Sequence, residues 1–267
     1  MLGGLLSDIL GRKKYPIIVG GFFRSGTSLV RRIIDSHPDI HCPPEIKFFK
    51  DLYQDYFNDI LKPVRFFATV RTMGLEPDEI LNIFGPGFIE CHKLAAKKLN
   101  KRRWADKNPE NLLYLNEWHK LLRGKMLFIF VLRNPLDATA SLIEANFETI
   151  PATFEEKVEW YLRYINGGIE FMDKYPNQSF LIKYEDLVRN PKGELEKLFA
   201  FIGEEFQEEV LAEFNSDQRQ SGTEDPKVYL KKDIHSQSVG RYKNDLTEDQ
   251  IDYMKSKCRT IFYRFGY

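Results

Sequence analysis

Residues 15–38 read YPIIVGGFFRSGTSLVRRIIDSHP, and the fold turns on how this stretch is parsed. Ile17-Ile18-Val19 is a short apolar, largely β-branched run of the kind that forms a strand buried on both faces. Gly20 and Gly21 supply a turn, and Gly26-Thr27-Ser28 opens a helix predicted over 26–36. Strand, glycine turn and helix together aim backbone amides at an anion. A nucleoside triphosphatase loop spaced G-x-x-x-x-G continues with Lys and then Ser or Thr. Gly21 and Gly26 keep that spacing, but Thr27 and Ser28 follow. The lysine that bridges β- and γ-phosphates in Mg-ATP chemistry is missing, which disfavours a kinase. Amides, two hydroxyls and the single cation Arg24 suit one terminal 5′-phosphate instead.

Working outward, MLFIFVL (126–132) and SFLIKY (179–184) read as further buried strands. Helical patterns cover 111–122, 135–145, 154–174 and 191–201. Thr247 with Gln250 is a capping-box signal for a last helix, which the pattern carries to about residue 264. Strands alternating with helices predict an α/β fold, a P-loop-type three-layer sandwich with a central, mostly parallel sheet flanked by helices. The chain is expected to form one domain over 1–267. Segment 46–104 is less regular and rich in aromatics; it is expected to hold short helices and to form a substrate-facing insertion. Segment 215–245 is polar and turn-rich and reads as a long loop, of a length that is usually either functional or disordered.

Bulk composition narrows the classes. The 267 residues carry 39 Lys+Arg against 39 Asp+Glu, so net charge proposes neither a nucleic-acid nor a membrane-surface partner. Cys42, Cys91 and Cys258 lack disulfide or zinc spacing, so no metal is expected and a reducing, cytoplasmic setting fits. The basic residues of MLGGLLSDILGRKK follow its apolar part, against signal-peptide order. No run reaches the apolar length of a membrane span.

A second anion site is suggested by FVLRNPLDATAS. Arg133 ends the most hydrophobic strand, Asn134 is a plausible cap, Pro135 suits the first helical position, and Ser141 falls within the first two turns. Alone, such an arginine is also at home beside a helix end. Two cationic strand ends in one sheet point to a ligand with two separated phosphates.

FFRSGTSLVRRIIDSHP and FVLRNPLDATAS together resemble the two nucleotide-binding motifs of sulfotransferases that use 3′-phosphoadenosine-5′-phosphosulfate (PAPS). The similarity is to the tyrosylprotein-sulfotransferase-like group and its bacterial relatives. It implies that Arg24, Ser25, Gly26, Thr27 and Ser28 hold the 5′-phosphosulfate and that Arg133 and Ser141 hold the 3′-phosphate. It also implies that Tyr184, in IKYEDL, lies by the adenine, and that Ser238, Gly240 and Arg241, in SVGRYKNDL, belong to a loop covering the nucleotide. The product would be adenosine 3′,5′-bisphosphate (PAP), and the partner a hydroxyl-bearing acceptor: protein tyrosine, a carbohydrate or a small molecule. No bridging lysine or Mg²⁺ is needed, which accounts for the loop.

The same resemblance assigns chemistry. Glu45, in HCPPEIKFF, matches the catalytic base, although a lone Glu beside Lys47 is usually solvated or ion-paired. Lys107, in WADKNPEN, matches a lysine that contacts the sulfuryl oxygens; here Asp106 and Asn108 replace the order of the family's N-K-D-P segment. Arg24 would serve both the 5′-phosphate and the developing charge. His37 and His41 read as structural, with His41 the alternative base. His92, His119 and His235 have no evident partner. A kinase-like phosphotransferase and a non-catalytic nucleotide-binding protein stand as alternatives.

Overall fold

The computed structural model describes residues 12, 15–53, 65–146, 150–211, 234 and 236–267. Among them five strands form one sheet in the order β2-β3-β1-β4-β5: β1 (Ile17–Gly20), β2 (Ile40–His41), β3 (Arg103–Lys107), β4 (Leu127–Leu132) and β5 (Ser179–Lys183). Every pairing is parallel. Ile17 of the central strand faces Ala105 on one side and Leu127 on the other.

Alternation along the strands divides the core. Ile18, Phe128, Phe130 and Leu132 enter one apolar cluster, while Ile17, Val19, Leu127, Ile129, Val131 and Ile182 enter the other. The second face is covered by α1 (Thr27–Asp35), α8 (Tyr184–Arg189) and α9 (Pro191–Ile202). The first is covered by α4 (Pro77–Lys98), α5 (Leu115–Leu121), α6 (Pro135–Ala145), α7 (Phe154–Lys174), α11 (Glu248–Lys257) and α12 (Arg259–Phe265). Helices on both faces of a parallel sheet make the three layers expected from the strand and helix pattern.

Several elements differ from the sequence reading. Strands β2 and β3 carry no apolar run. β3 is RWADK, fully buried, and its charges are tolerated because distant groups meet them: Arg103 donates to Tyr15 O at 2.6 Å and Ile202 O at 2.8 Å. Segment 46–104 contains α2 (Phe48–Tyr53), α3 (Arg65–Arg71) and the 22-residue α4, where only short helices were expected. Gly85-Pro86-Gly87 reads as a breaker, yet Pro86 lies inside α4. Burial of Ile80, Leu81, Ile89 and Ala96 holds the helix through it, and a Cβ on Gly85 would come within 2.6 Å of Leu121. The helix expected over 111–122 is instead a 3₁₀ turn, Pro109–Leu113, followed by α5. The last helix breaks at Cys258, although its predicted capping box at Thr247 and Gln250 is present. Of the loop read over 215–245, residues 215–233 and 235 lie outside the described residues; α10 (Tyr242–Asp245) closes its end. No helix among the described residues is long and apolar enough to cross a membrane.

Candidate active site

The chain leaves β1 toward β2 and β3 on one side and leaves β4 toward β5 on the other, so a crevice opens between the carboxyl ends of β1 and β4. The first wall is the glycine loop. A Cβ on Gly21 would sit 2.4 Å from Val131 O, so only glycine lets the loop pass β4 this closely. Gly26 caps α1 with φ +93°, and Arg24 takes φ +65°. With no side-chain cap at Gly26, the first amides of α1 are left for an anion.

Arg133 forms the second wall. It donates to Arg24 O at 2.8 Å and Ser238 O at 2.6 Å, and its guanidinium lies 4.6 Å from the centre of the Tyr184 ring. Burial pulls its pKa below the ordinary value, partly offset by Tyr184, Asp137 and Glu185. Tyr184 also backs the first loop: a Cβ on Gly26 would lie 2.6 Å from its ring. Arg24 Nε donates to Ser141 Oγ at 3.2 Å. The two motifs, more than a hundred residues apart, therefore touch through Arg24, Ser141, Arg133 and Tyr184.

Asp137 is a connector that sequence reasoning missed. Its carboxylate accepts from Gly240 N at 2.7 Å and Tyr242 N at 3.0 Å, docking the late turn onto the first turn of α6. An Asp there reads in sequence only as a favourable charge at a helix start. Arg241 is committed outward, to Glu144 at 2.8 Å and Asp245 at 2.6 Å. Ser238 meets Arg133 through its carbonyl.

At the end of β3, Lys107 is 1% exposed. Its ammonium donates to Glu45 Oε1 at 2.6 Å and to Ser28 Oγ at 3.2 Å, which joins the Glu45 segment to the first turn of α1. Asp106 and Asn108 make their own network: Asp106 Oδ1 accepts from Asn108 at 3.1 Å and Asn111 at 2.9 Å. Asn108 also donates to Ile46 O at 2.9 Å and gives no side-chain cap to the 3₁₀ turn.

The histidines have structural partners. His41 lies 3.2 Å from Asp35. It faces Trp104 on the sheet, three residues short of Lys107, which is roughly 10 Å along the strand. His37 accepts from Asp39 N at 3.1 Å and stacks on Phe199. The sequence shows no evident partner for His92 or His119; His92 stacks on Trp104 with Asp106 3.4 Å away, and His119 stacks on Tyr175. His235 lies outside the described residues.

Two buried polar atoms at the crevice bear on a phosphate ligand. Ser25 Oγ and Arg133 Nε have no hydrogen-bond partner among the described residues, a state that typically costs about 1–3 kcal/mol each. Both are donors, one on each wall, so the residues present fit a doubly phosphorylated nucleotide. Among the described residues no cluster of three His, Cys, Asp or Glu could hold a metal.

A model of the sulfotransferase family matches residues 16–208. The chain is 24% identical over 205 residues to a putative protein-tyrosine sulfotransferase of Caenorhabditis briggsae, spanning 73% of this chain and 68% of that protein. It is 24% identical over 256 residues to the protein-tyrosine sulfotransferase of Drosophila melanogaster, spanning 90% of this chain and 50% of the relative. Among solved structures, the sulfotransferase domain from the Synechococcus PCC 7002 olefin synthase superposes with a TM-score of 0.61 at 18% identity, covering 95% of this chain and 96% of that one. Mouse sulfotransferase SULT7A1 complexed with PAP gives 0.54 at 16% identity, covering 92% and 84%. At these identities the structural likeness speaks for the fold.

Proposed function

The chain belongs to the sulfotransferase family, and from that premise we propose that it moves a sulfuryl group from PAPS to an acceptor hydroxyl in one in-line step. The observation that carries the reading is the meeting, at one sheet edge, of two linked cationic walls and the Lys107–Glu45 pair. The donor supplies an activated sulfuryl group whose leaving group is a nucleotide 5′-phosphate.

Glu45 takes the proton of the acceptor hydroxyl, whose oxygen forms a new bond to sulfur as the sulfur–oxygen bond to the leaving phosphate breaks. Lys107 holds the Glu45 carboxylate and stabilises charge on the sulfuryl oxygens, and Arg24 does the same for the leaving phosphate. Ser25, Gly26, Thr27 and Ser28 receive the 5′-phosphate, while Arg133 and Ser141 receive the 3′-phosphate. Tyr184 stands beside the adenine, and Ser238, Gly240 and Arg241 form the covering turn. His41, bonded to Asp35 and set back along the sheet, is the poorer base.

Phe23 stacks on Trp160 with centroids 4.7 Å apart, immediately beside Arg24. This half-buried pair supports an acceptor with an apolar or planar body, and segment 46–104 supplies the remaining wall. The whole chain is read as one domain. Its three cysteines are free, which supports a reducing, cytoplasmic setting.

Radiolabelled donor with a panel of phenolic, carbohydrate and peptide acceptors tests the reaction. Label should pass to at least one acceptor class, and calorimetry should show tighter binding of PAP than of AMP. Equal affinity for the two nucleotides would remove the 3′-phosphate site from the reading.

A further inference from the structure

We propose that Asn108 is a positioning residue for the transfer, holding the backbone beside Glu45 against the end of β3; this rests on the reading of Glu45 as the base. Glu45 sits in a stretch, 42–47, without regular secondary structure. The start of that stretch is anchored: Cys42 N donates to Asp35 at 2.9 Å, and Arg31 donates to Cys42 O at 3.0 Å. Farther along, three successive residues reach the end of β3 and the turn after it. Glu45 meets Lys107 at 2.6 Å, Ile46 O accepts from Asn108 at 2.9 Å, and Lys47 lies 3.5 Å from Glu110. Both flanking contacts are ion pairs between side chains that can rotate. The middle one grips the main chain one residue after Glu45 and so restrains the backbone that carries it.

The amide of Asn108 is itself held in place. It is 4% exposed, and the nitrogen that reaches Ile46 O also donates to Asp106 Oδ1 at 3.1 Å. A carbonyl and a carboxylate are both acceptors, so the group facing them must be the NH₂ end of the amide. Asp106 is fixed in turn by Asn111, which donates to the same Oδ1 at 2.9 Å. Asn111 is tied to Val19 O and to the indole of Trp118, both at 2.9 Å. A chain of bonds thus runs from the buried core to the residue after the base. The order Asp106-Lys107-Asn108 puts the acceptor toward the core and the donor toward the Glu45 segment.

Kinetics of Asn108→Ala, Asn108→Asp and Glu45→Gln, with Thr153→Ala as a stability control, test this. Thr153 caps α7, and its hydrogen bonds run to Glu156 and Lys157 at that helix's own start, so its variant should lower the melting temperature and leave kcat unchanged. Asn108→Ala should lose roughly 10- to 100-fold in kcat, as displacement of a reacting group does, with both KM values and donor affinity within about threefold. Asn108→Asp, which sets three acceptors against one another, should lose more. Should Asn108→Ala not fold, Asn108→Ser, too short to reach Ile46, should show the kcat loss of an absent tether. A kcat within twofold of wild type in the Ala or Ser variant, while Glu45→Gln is crippled, overturns the role of Asn108 alone. An unimpaired Glu45→Gln overturns the base assignment itself.

Discussion

Lys107 Nζ lies 2.6 Å from Glu45 Oε1, joining a strand end to an irregular segment 62 positions earlier in the chain. Lys107 is buried, whereas the Glu45 side chain keeps 12% exposure, so the carboxylate is the partner that an incoming acceptor can reach. Glu45→Gln should therefore reduce kcat about 100-fold or more, the scale of a lost general base. Donor affinity by calorimetry should hold within a few-fold. Lys107→Met should lose turnover and also stability, because it strips a charge partner from a nearly dry site. Full turnover in the Gln variant would exclude Glu45 from the chemistry.

Arg133 is expected to govern selectivity for the 3′-phosphate. Loss of one charged hydrogen-bond donor is worth about 1.5–3 kcal/mol, so Arg133→Ala should weaken PAP binding roughly 10- to 100-fold. AMP, which has no 3′-phosphate, should bind nearly as before. Titration calorimetry with the two nucleotides decides this; parallel losses for both would mean that Arg133 acts only by holding the loop.

Gly26 combines a left-handed backbone with the Tyr184 ring standing where a Cβ would go. Gly26→Ala adds about 1–2 kcal/mol of backbone strain and a clash with Tyr184. Thermal denaturation should shift down, and donor binding should weaken with it. Adding Tyr184→Ala should recover only the part due to the clash, leaving the backbone strain in place. A single Ala variant as stable as wild type would contradict the loop geometry.

Asp35 should make stability depend on pH at the acid end. Burial pushes its carboxyl up, but hydrogen bonds from His41 and Cys42 N, with the charges of Lys101 and Arg31, outweigh this and hold the pKa at about 2, against 3.8 ordinarily. A depressed folded-state pKa contributes stability that is full above the unfolded value and is lost as pH falls from about 4 toward 2. The contribution is roughly 2 kcal/mol. Urea midpoints measured across that range should fall for the wild type and flatten in Asp35→Asn. Parallel curves for the two proteins would refute it.

Much of the frame was legible. β1, β4 and β5 are dense apolar runs, and α6 and α7 begin at recognisable caps, Asn134 before Pro135 and the box of Thr153 with Glu156. Strand β3 escaped because Arg103, Asp106 and Lys107 look like surface residues until Tyr15, Ile202, Asn111 and Glu45 arrive from elsewhere. Helix α4 escaped because Pro86 between two glycines is a breaker by propensity, which tertiary burial overrode. Neither Asp137 nor the contact of Asn108 with the Glu45 segment could be read in advance, since each acts on backbone far away in the chain.

By itself the sequence determined the character of the anion loop: a strand, two glycines, one arginine and no following lysine, all local features within a dozen residues of one another. It also determined that a second cationic strand end exists at Arg133. Only the tertiary structure decided that these ends share a crevice with the Lys107–Glu45 pair. Strand order brings β3, β1 and β4 together, and a charged strand can be buried only once its distant hydrogen-bond partners are in place.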